Sequence, residues 1–462
     1  LIRHTAAYLT ANVLSAVFGF VSVFLFTRLL TPDDYGLFVL GQTATAILST
    51  SLFAWVAFSL FRYQTEGEHV DVRTTALVGF AASTSILLAG GLLAVLAAGV
   101  HPLLALGTCT FAAAFNFFGL TQNVMRARLD AGQVMRSSIL RSLLAFALGV
   151  TFVLLGGGGF GLLLSMSLAF LLSCLPYLRQ CWGDLKEQLA WATMRSFLSL
   201  GVPIALSGFI FSFSGGLDRL AIGTLLGKGA SGEYGASAEL VRQIIAMPML
   251  SIASAVLPIA VRLLASEGPK AAQRHMERGG ELLLAIVAPM AVGLAIVTPA
   301  LAAVVVGADF RPAAEALIPI LAVTAIFGAM NQGFVHASFH LAKAPRLMFW
   351  HGCLQLGTNA LVMYPLVTGY GIRGAALAML ISEGVALAGG LMLARRGFPL
   401  SLPLGRLARV GVALGAMGAA ALGVRAALDR ADLVAMIAIA AAGAATYAAA
   451  ALALDLGGAR ST

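Results

Sequence analysis

The sequence predicts an all-α integral membrane protein with about 14 transmembrane helices, built as two six-helix lobes plus two C-terminal helices. Hydrophobic residues make up 60% of the 462 residues, charged residues only 11%, and the mean hydropathy is +0.93. Soluble domains carry about 25% charged residues. The apolar residues form runs long enough to cross a bilayer. Twice an apolar helix is predicted to end in a short polar turn closed by an acid, tyrosine and glycine, at Tyr35 and at Tyr234. Such internal repetition is typical of transporters.

Fourteen apolar runs are predicted to span the membrane. Because a backbone in hydrocarbon must satisfy its own hydrogen bonds, such runs can cross only as helices. The first run is longer than the apolar core of a signal peptide, and no small-residue cleavage site follows it. The predicted spans are 6–27, 36–60, 75–99, 103–125, 138–156, 159–178, 197–226, 235–264, 281–306, 314–342, 347–369, 371–394, 405–425 and 432–455.

Lysine and arginine residues predict the orientation of these spans. Of the 29, 21 fall in loops on one side of the membrane, and two, Arg219 and Arg242, lie within spans. Loops on the cytoplasmic side carry the excess of positive charge, so both termini are predicted to be cytoplasmic. The positive net charge of the chain then reflects topology, and no nucleic-acid partner is implied. The six on the other side are Arg28, Lys228, Arg311, Arg373, Arg425 and Arg430.

The motif and the spans together predict a parallel repeat. A polar loop at 181–196 separates six spans from the next six, so each half starts on the same side of the membrane. We therefore expect an N-terminal lobe at 1–195, a C-terminal lobe at 196–395 and two accessory helices at 396–462. Paired glycines open both the sixth and the twelfth spans. These pairs are Gly158 and Gly161, and Gly371 and Gly374.

Polar side chains form stripes at helical spacing within several spans, and such residues usually face the bundle interior. In the seventh, tenth and eleventh spans the stripes are large or ionisable and favour a hydrophilic cavity. In the first and fourth spans they favour helix packing. The stripes are Asn12, Ser15, Gly19 and Ser22; Asn116, Gly119, Asn123 and Arg126; Ser207, Ser214 and Asp218; Gln332, His336, His340 and Lys343; and His351, Gln355 and Asn359.

Charged residues within spans are the strongest functional candidates, because a buried charge is costly unless it is paired. One interpretation is that the acids and arginines form structural ion pairs, such as Asp218 with Arg242 or Arg219 with Glu239. The other is that the arginines contact an anionic substrate while the acids balance their charge. Asp218, Glu383 and His336 could also couple transport to an ion. The candidates within spans are Asp218, Arg219, Glu239, Arg242 and Glu383.

No cofactor or metal is expected. A glycine pattern from Gly156 to Gly161 has the spacing of a dinucleotide-binding loop, but it joins two apolar helices and has no strand before it. His336 and His340 are four residues apart, which would suit a metal, but no third ligand is near them in the sequence.

Three segments of the chain carry a family likeness. They are Phe26-Thr-Arg-Leu-Leu-Thr-Pro-Asp-Asp-Tyr-Gly-Leu-Phe38; Leu217-Asp-Arg-Leu-Ala-Ile-Gly223 followed by Gly232-Glu-Tyr-Gly-Ala236; and Tyr370-Gly-Ile-Arg-Gly-Ala-Ala376. These segments resemble the signatures of Wzx-type polysaccharide flippases, which belong to the multidrug/oligosaccharidyl-lipid/polysaccharide (MOP) exporter superfamily. The resemblance covers the first twelve spans, and it implies two six-helix lobes around a central cavity.

The resemblance also implies a function, namely transfer of a polyprenyl-diphosphate-linked oligosaccharide to the outer leaflet of the bacterial inner membrane. The glycan would be a precursor of O-antigen, capsule or exopolysaccharide, and glycosyltransferases or a polymerase would be partners. Family cavities are cationic, which adds Arg28 and Arg62 to Arg219 and Arg242 as candidates. Outward movement of an anion is downhill in a cell that is negative inside, by about 2.3 kcal/mol per charge per 100 mV. Ion antiport is the competing source of energy.

Two alternative functions would also suit a membrane protein. A cation-coupled drug antiporter of the same superfamily would need a cavity dominated by acids, whereas acids and arginines are nearly balanced within these spans. A membrane glycan polymerase or ligase would need a large outer loop with catalytic residues, and the predicted outer connections are only several residues long. The sequence therefore predicts a transporter and not an enzyme.

Overall fold

The computed structural model describes residues 18–65, 72–183, 185, 191–400 and 404–456, and these fold into α-helices. The stripe residues Asn12 and Ser15 lie outside the described residues. Twelve helices in the described part are long and apolar enough to cross a membrane. The helices are α1 Phe18–Leu29, α2 Pro32–Thr65, α3 Arg73–Ala98, α4 Pro102–Ala127, α5 Ala131–Leu154, α6 Gly158–Trp182, α7 Trp191–Leu225, α8 Lys228–Ser266, α9 Pro269–Val305, α10 Ala308–Leu341, α11 Pro345–Ala394, α12 Leu404–Leu428 and α13 Leu433–Ala453.

The long helix α11 accounts for two of the predicted spans. Its 50 residues would extend about 75 Å as a straight helix, more than twice the thickness of a hydrocarbon core. Gly371 breaks it with φ 60° and ψ −139°, a conformation that only glycine adopts without strain. The chain then reverses, and Gly374 lies so close to the Leu366 carbonyl that an added Cβ would sit 1.8 Å from the oxygen. With α11 as two arms and α1 as the end of the first span, the architecture agrees with about 14 spans.

The chain divides into two units, Leu1–Gly232 and Glu233–Thr462. In the first unit α2 is central, and it packs against α4, α6 and α7. The Ser59 hydroxyl of α2 donates a hydrogen bond to the Phe197 carbonyl of α7 at 3.1 Å, within a fully buried apolar cluster. Helix α7 thus packs with the first unit, although it opens the second half of the predicted repeat. The repeat itself, with its boundary after residue 195, stays a prediction.

In the second unit α9 is central, and it packs against α10, α12 and α13. The Tyr447 hydroxyl of α13 donates a hydrogen bond to the Ala285 carbonyl of α9 at 2.7 Å. Helix α10 packs against α11. The two accessory helices are therefore held to the same helix that supports α10 and α11.

The two acid-Tyr-Gly motifs lie inside helices and not in the turns where the sequence placed them. Pro32 starts α2 and Thr31 caps it, since the Thr31 hydroxyl accepts a hydrogen bond from the Asp34 amide at 3.2 Å. Tyr35 and Gly36 therefore fall in the first two turns of α2, and α8 begins at Lys228, before the second motif. The reason is that proline at the first helical position and a threonine cap favour helix initiation there.

Close backbone contact explains the glycines of this region. A Cβ on Gly36 would lie 1.8 Å from the Lys228 carbonyl oxygen, and one on Gly232 would lie 2.3 Å from the Pro32 carbonyl oxygen. The first turns of α2 and α8 therefore cross with no side chain between them. On the other flank, a Cβ on Gly159 would lie 1.9 Å from the Asp34 carbonyl oxygen. Three helix N-termini thus meet where the flippase-like signature occurs in the sequence.

Candidate functional site

A series of hydrogen-bonded polar side chains, some buried and some half-buried, joins α10 to both arms of α11. The two arms run antiparallel, because His351 contacts Ala386, Gln355 contacts Glu383 and Asn359 contacts Met379. We call this group the Glu383 cluster, and its members are Asn331, His336, His351, Gln355 and Glu383.

Glu383 lies at one end of this hydrogen-bonded cluster and is 6% exposed. Its Oε2 accepts a hydrogen bond from Asn331 Nδ2 at 2.6 Å, and its Oε1 accepts one from Gln355 Nε2 at 2.7 Å. The Glu383 carbonyl also accepts from Asn331 Nδ2 at 3.0 Å. Both carboxylate oxygens therefore face amide donors, an arrangement that suits the ionised, acceptor-only form.

The remaining contacts determine the direction of the hydrogen bonds within the Glu383 cluster. His351 is fully buried, and its Nε2 lies 3.3 Å from Asn331 Oδ1 and 3.1 Å from the Ala386 carbonyl oxygen. Both neighbours are acceptors, so Nε2 carries the proton and Nδ1 is left to accept. His336 Nε2, at 3.2 Å from that Nδ1, is then the donor. The hydrogen bonds run from His336 through His351 and Asn331 to Glu383.

Glu383 has no basic partner among the described residues. By contrast, Asp218 lies beside Arg219, and Glu239 pairs with Arg242. Burial of a carboxylate without a countercharge costs several kcal/mol, and amide donors offset only part of that cost. The Glu383 cluster is therefore a site where a proton or a small cation would be stabilised. Three or more His, Cys, Asp or Glu side chains arranged to hold a metal do not occur among the described residues.

Asn331 is the member of the cluster that sequence reasoning missed. The predicted stripe began at Gln332, but Gln332 and His340 are exposed. The cause is a π-helical turn over Asn331–Val335, which adds a residue to the helix, so that Asn331 and His336 share a face although they are five positions apart. A pattern search at α-helical spacing cannot find this pair.

Asn359 lies one turn further from the cluster along the same arm. It is 1% exposed, and its Nδ2 contacts Met379 Sδ at 3.9 Å. Its Oδ1 is buried and has no hydrogen-bond partner. A buried unsatisfied amide oxygen calls for a donor, and this oxygen is the natural place for a water or an ion beside the cluster.

The first unit holds a second buried carboxylate. Asp218 of α7 is 2% exposed, and Ser214, one turn away on the same face, is also buried. Asp218 Oδ1 accepts a hydrogen bond from the Arg219 amide at 2.8 Å, and the Arg219 guanidinium lies 3.9 Å away. That guanidinium also donates to the Gly215 carbonyl at 3.1 Å. Asp218 therefore has the adjacent Arg219 as its basic neighbour within the first unit, whereas the predicted pairings, Asp218 with Arg242 and Arg219 with Glu239, stay predictions.

The other arginine candidates are exposed. In α8, Arg242 forms a bidentate pair with Glu239, and Gln243 donates to the same carboxylate. Arg28 lies over the Phe24 ring, 3.9 Å from its centroid, and donates to the Phe24 carbonyl at 2.9 Å. Arg62 is exposed in the last turn of α2. The structure does not gather these side chains into one cationic site within either unit.

The fourth-span stripe packs helices together. Asn116 of α4 donates to the Ser49 hydroxyl of α2 at 2.8 Å, and Asn123 donates to the Ala57 carbonyl at 3.1 Å. Ser49 begins a second π-helical turn, Ser49–Phe53. These bonds tie α2 to α4, which is the packing role that the sequence favoured for this span.

Solved structures share this fold over most of its length. The chain matches a structure titled as the lipid II flippase MurJ in an inward closed conformation, with a TM-score of 0.79 and 14% identity over 98% of this chain and 99% of that one. It also matches an inward-facing multidrug resistance MATE family transporter of the MOP superfamily, with a TM-score of 0.62 and 17% identity over 84% and 94%. A MOP superfamily transporter from Pyrococcus furiosus matches with a TM-score of 0.50 and 15% identity over 85% and 92%. No curated protein sequence gave a significant match.

The described residues therefore share the all-helical fold of these transporter structures. The family model described as "Polysaccharide biosynthesis protein" matches residues 25–315, well over half of the chain. The chain belongs to that family. The family and the fold agree with the resemblance of its signatures to polysaccharide flippases.

Proposed function

We propose that this protein moves a polyprenyl-diphosphate-linked oligosaccharide from the cytoplasmic to the outer leaflet of a bacterial inner membrane by alternating access. The observation that carries the proposal is the family match over 25–315, because that family is described by polysaccharide biosynthesis. The fold of a lipid flippase over nearly the whole chain supports it. Both termini would be cytoplasmic, and the glycan would be a precursor of O-antigen, capsule or exopolysaccharide.

Deletion of the gene tests this function. The lipid-linked oligosaccharide should accumulate on the cytoplasmic face of the inner membrane, and expression of the intact chain should restore export. Reporter fusions at the two ends of the chain would test the orientation. Normal export after deletion, with no accumulation of a lipid-linked intermediate, would exclude the flippase.

We further propose that Glu383 couples transport to a cation, which is the antiport scheme. A buried carboxylate that lacks a basic partner among the described residues is stable when a proton or a sodium ion neutralises it. Asp218 is a weaker candidate because Arg219 lies beside it. The same observation favours a second function, a cation-coupled small-molecule antiporter, in which Glu383 would play the same part.

Reconstituted liposomes separate the energy sources. Wild-type protein should respond to a proton or sodium gradient, and Glu383→Gln should lose that response while it still inserts in the membrane. Glu315, an exposed acid of α10, gives the matched control Glu315→Gln. A response to a valinomycin-set potential alone, unchanged in Glu383→Gln, would refute coupling at Glu383 and favour the membrane potential as the driving force. Lipid-linked oligosaccharide and a cationic drug, offered as alternative substrates, distinguish the two functions.

A further inference from the structure

A groove opens between the ends of the two arms of α11, apart from the Glu383 cluster. We call it the interfacial groove, and its volume of about 600 Å³ is in the range of small-ligand pockets. All of its lining belongs to the second unit. The lining residues are Arg346, Leu347, Trp350, Leu354, Gly389, Met392, Leu393 and Arg396.

Helix geometry explains why the groove exists. The arms start and end on the same side because the chain reverses at Gly371. Gly389 lacks a side chain where Leu354 crosses it, and a Cβ there would lie 2.2 Å from Leu354 Cδ2. The next residue, Gly390, likewise makes room for the His351 ring. The arms therefore touch at the two glycines, and Gly389 itself forms part of the groove lining.

The chemistry of the lining changes with depth. Arg346, in the first turn of α11, and Arg396, just beyond its last turn, are both exposed at the open rim of the groove. Trp350 follows one turn deeper and is 61% exposed. Met392 lies at a similar depth, one turn from Arg396, and Leu354 lies deeper still, about 12 Å of helix from Arg346. The order is cation, aromatic ring and then aliphatic surface.

Charge complementarity indicates what fits this order. The lining contains two guanidinium groups and no acid, and Lys343 and Arg395 add positive charge close by in the chain. Arginine binds phosphate through paired hydrogen bonds. Tryptophan prefers the depth of lipid headgroups, and basic pockets between transmembrane helices suit the heads of anionic lipids.

We propose that the interfacial groove binds an anionic phospholipid of the adjacent leaflet. Its phosphate would lie between Arg346 and Arg396, and one acyl chain would follow Trp350, Leu354 and Met392. The proposal does not depend on the transported substrate. A lipid in the groove would contact both arms of α11, which also carry His351, Gln355 and Glu383 of the cluster.

Quenching of Trp350 fluorescence by brominated lipids tests the proposal. The protein is reconstituted in vesicles that contain brominated phosphatidylglycerol or brominated phosphatidylcholine, and the signal lost in Trp350→Phe is assigned to Trp350. We expect Trp350 to prefer the anionic lipid. Loss of both guanidinium groups in Arg346→Gln/Arg396→Gln should reduce that preference about thirty-fold, since each arginine near the surface contributes roughly fivefold.

A matched control uses two exposed arginines of α9, as Arg274→Gln/Arg278→Gln, which should keep the preference of the wild-type protein. Equal quenching by the two lipids would overturn the proposal, and so would an unchanged preference in the groove variant. Displacement of phosphatidylglycerol by a small mole fraction of polyprenyl diphosphate would also overturn it, since the groove would then be a substrate site.

Discussion

The crossing of α2 and α8 makes a sharp prediction for Gly36→Ala. The new methyl group would lie 1.8 Å from the Lys228 carbonyl oxygen, whereas ordinary contacts of this kind begin at 3.4 Å. One backbone must therefore move by about 1.6 Å, the difference between these distances. Gly232 sits against the Pro32 carbonyl at the same crossing, so neither helix can move without losing that contact.

The expected cost follows from these distances. Overpacking of a close contact costs about 1–3 kcal/mol, and a clash between two backbones falls at the upper end because no flexible side chain can rotate away. Replacement of a helical glycine by alanine recovers at most about 1 kcal/mol. We therefore expect Gly36→Ala to destabilise the protein by about 2 kcal/mol or more.

Thermal unfolding in detergent, followed by the loss of the monodisperse peak in size-exclusion chromatography, measures this effect. Gly119→Ala in α4 is the control, because an added Cβ there has no atom within 4 Å, and it should be neutral or stabilising. The double change Gly36→Ala/Gly232→Ala should cost less than the sum of the single changes, because either substitution alone already forces the two helices apart at this crossing. A midpoint for Gly36→Ala equal to that of Gly119→Ala would refute the close crossing.

Three further predictions concern the second unit. Gly371→Ala should destabilise by about 1–3 kcal/mol because alanine is strained at φ 60°, whereas Gly369→Ala should not; thermal unfolding compares them. Tyr447→Phe should cost about 1 kcal/mol through its lost hydrogen bond, and exposed Tyr364→Phe should cost nothing in the same assay; equal midpoints would contradict this. Glu383→Ala should unfold at a lower temperature than Glu383→Gln because it leaves two buried amide donors without an acceptor, at about 1–3 kcal/mol each.

Most of the fold could be predicted because hydropathy and helix length are physical constraints of the bilayer. The apolar run from residue 371 predicts a separate span, and the structure places the break at Gly371. Helix starts were less accurate. The sequence placed Pro32–Asp34 in a turn, but proline and a threonine cap begin α2 there, and the polar character of the segment reflects capping.

The candidate site was only partly predictable. His336, His351, Gln355 and Glu383 were found because ionisable or amide side chains are rare in spans, and the structure brings these four together. Asn331 could not be found, since its place depends on a π-helical turn. The exposed positions of Arg28 and Arg62 also depend on where α1 and α2 end, which hydropathy leaves undetermined by several residues.

The π-helical turn at Asn331–Val335 has a consequence for comparing this chain with its relatives. Such a turn is an insertion of one residue that a helix absorbs without a loop. A relative that lacks the turn would need a single gap in the middle of a membrane span, a position where sequence alignment usually forbids gaps. Without that gap, every residue on one side of the turn would be paired with a neighbour rotated by about 100° on the helix. Homologues of the cluster would then be sought on the wrong face.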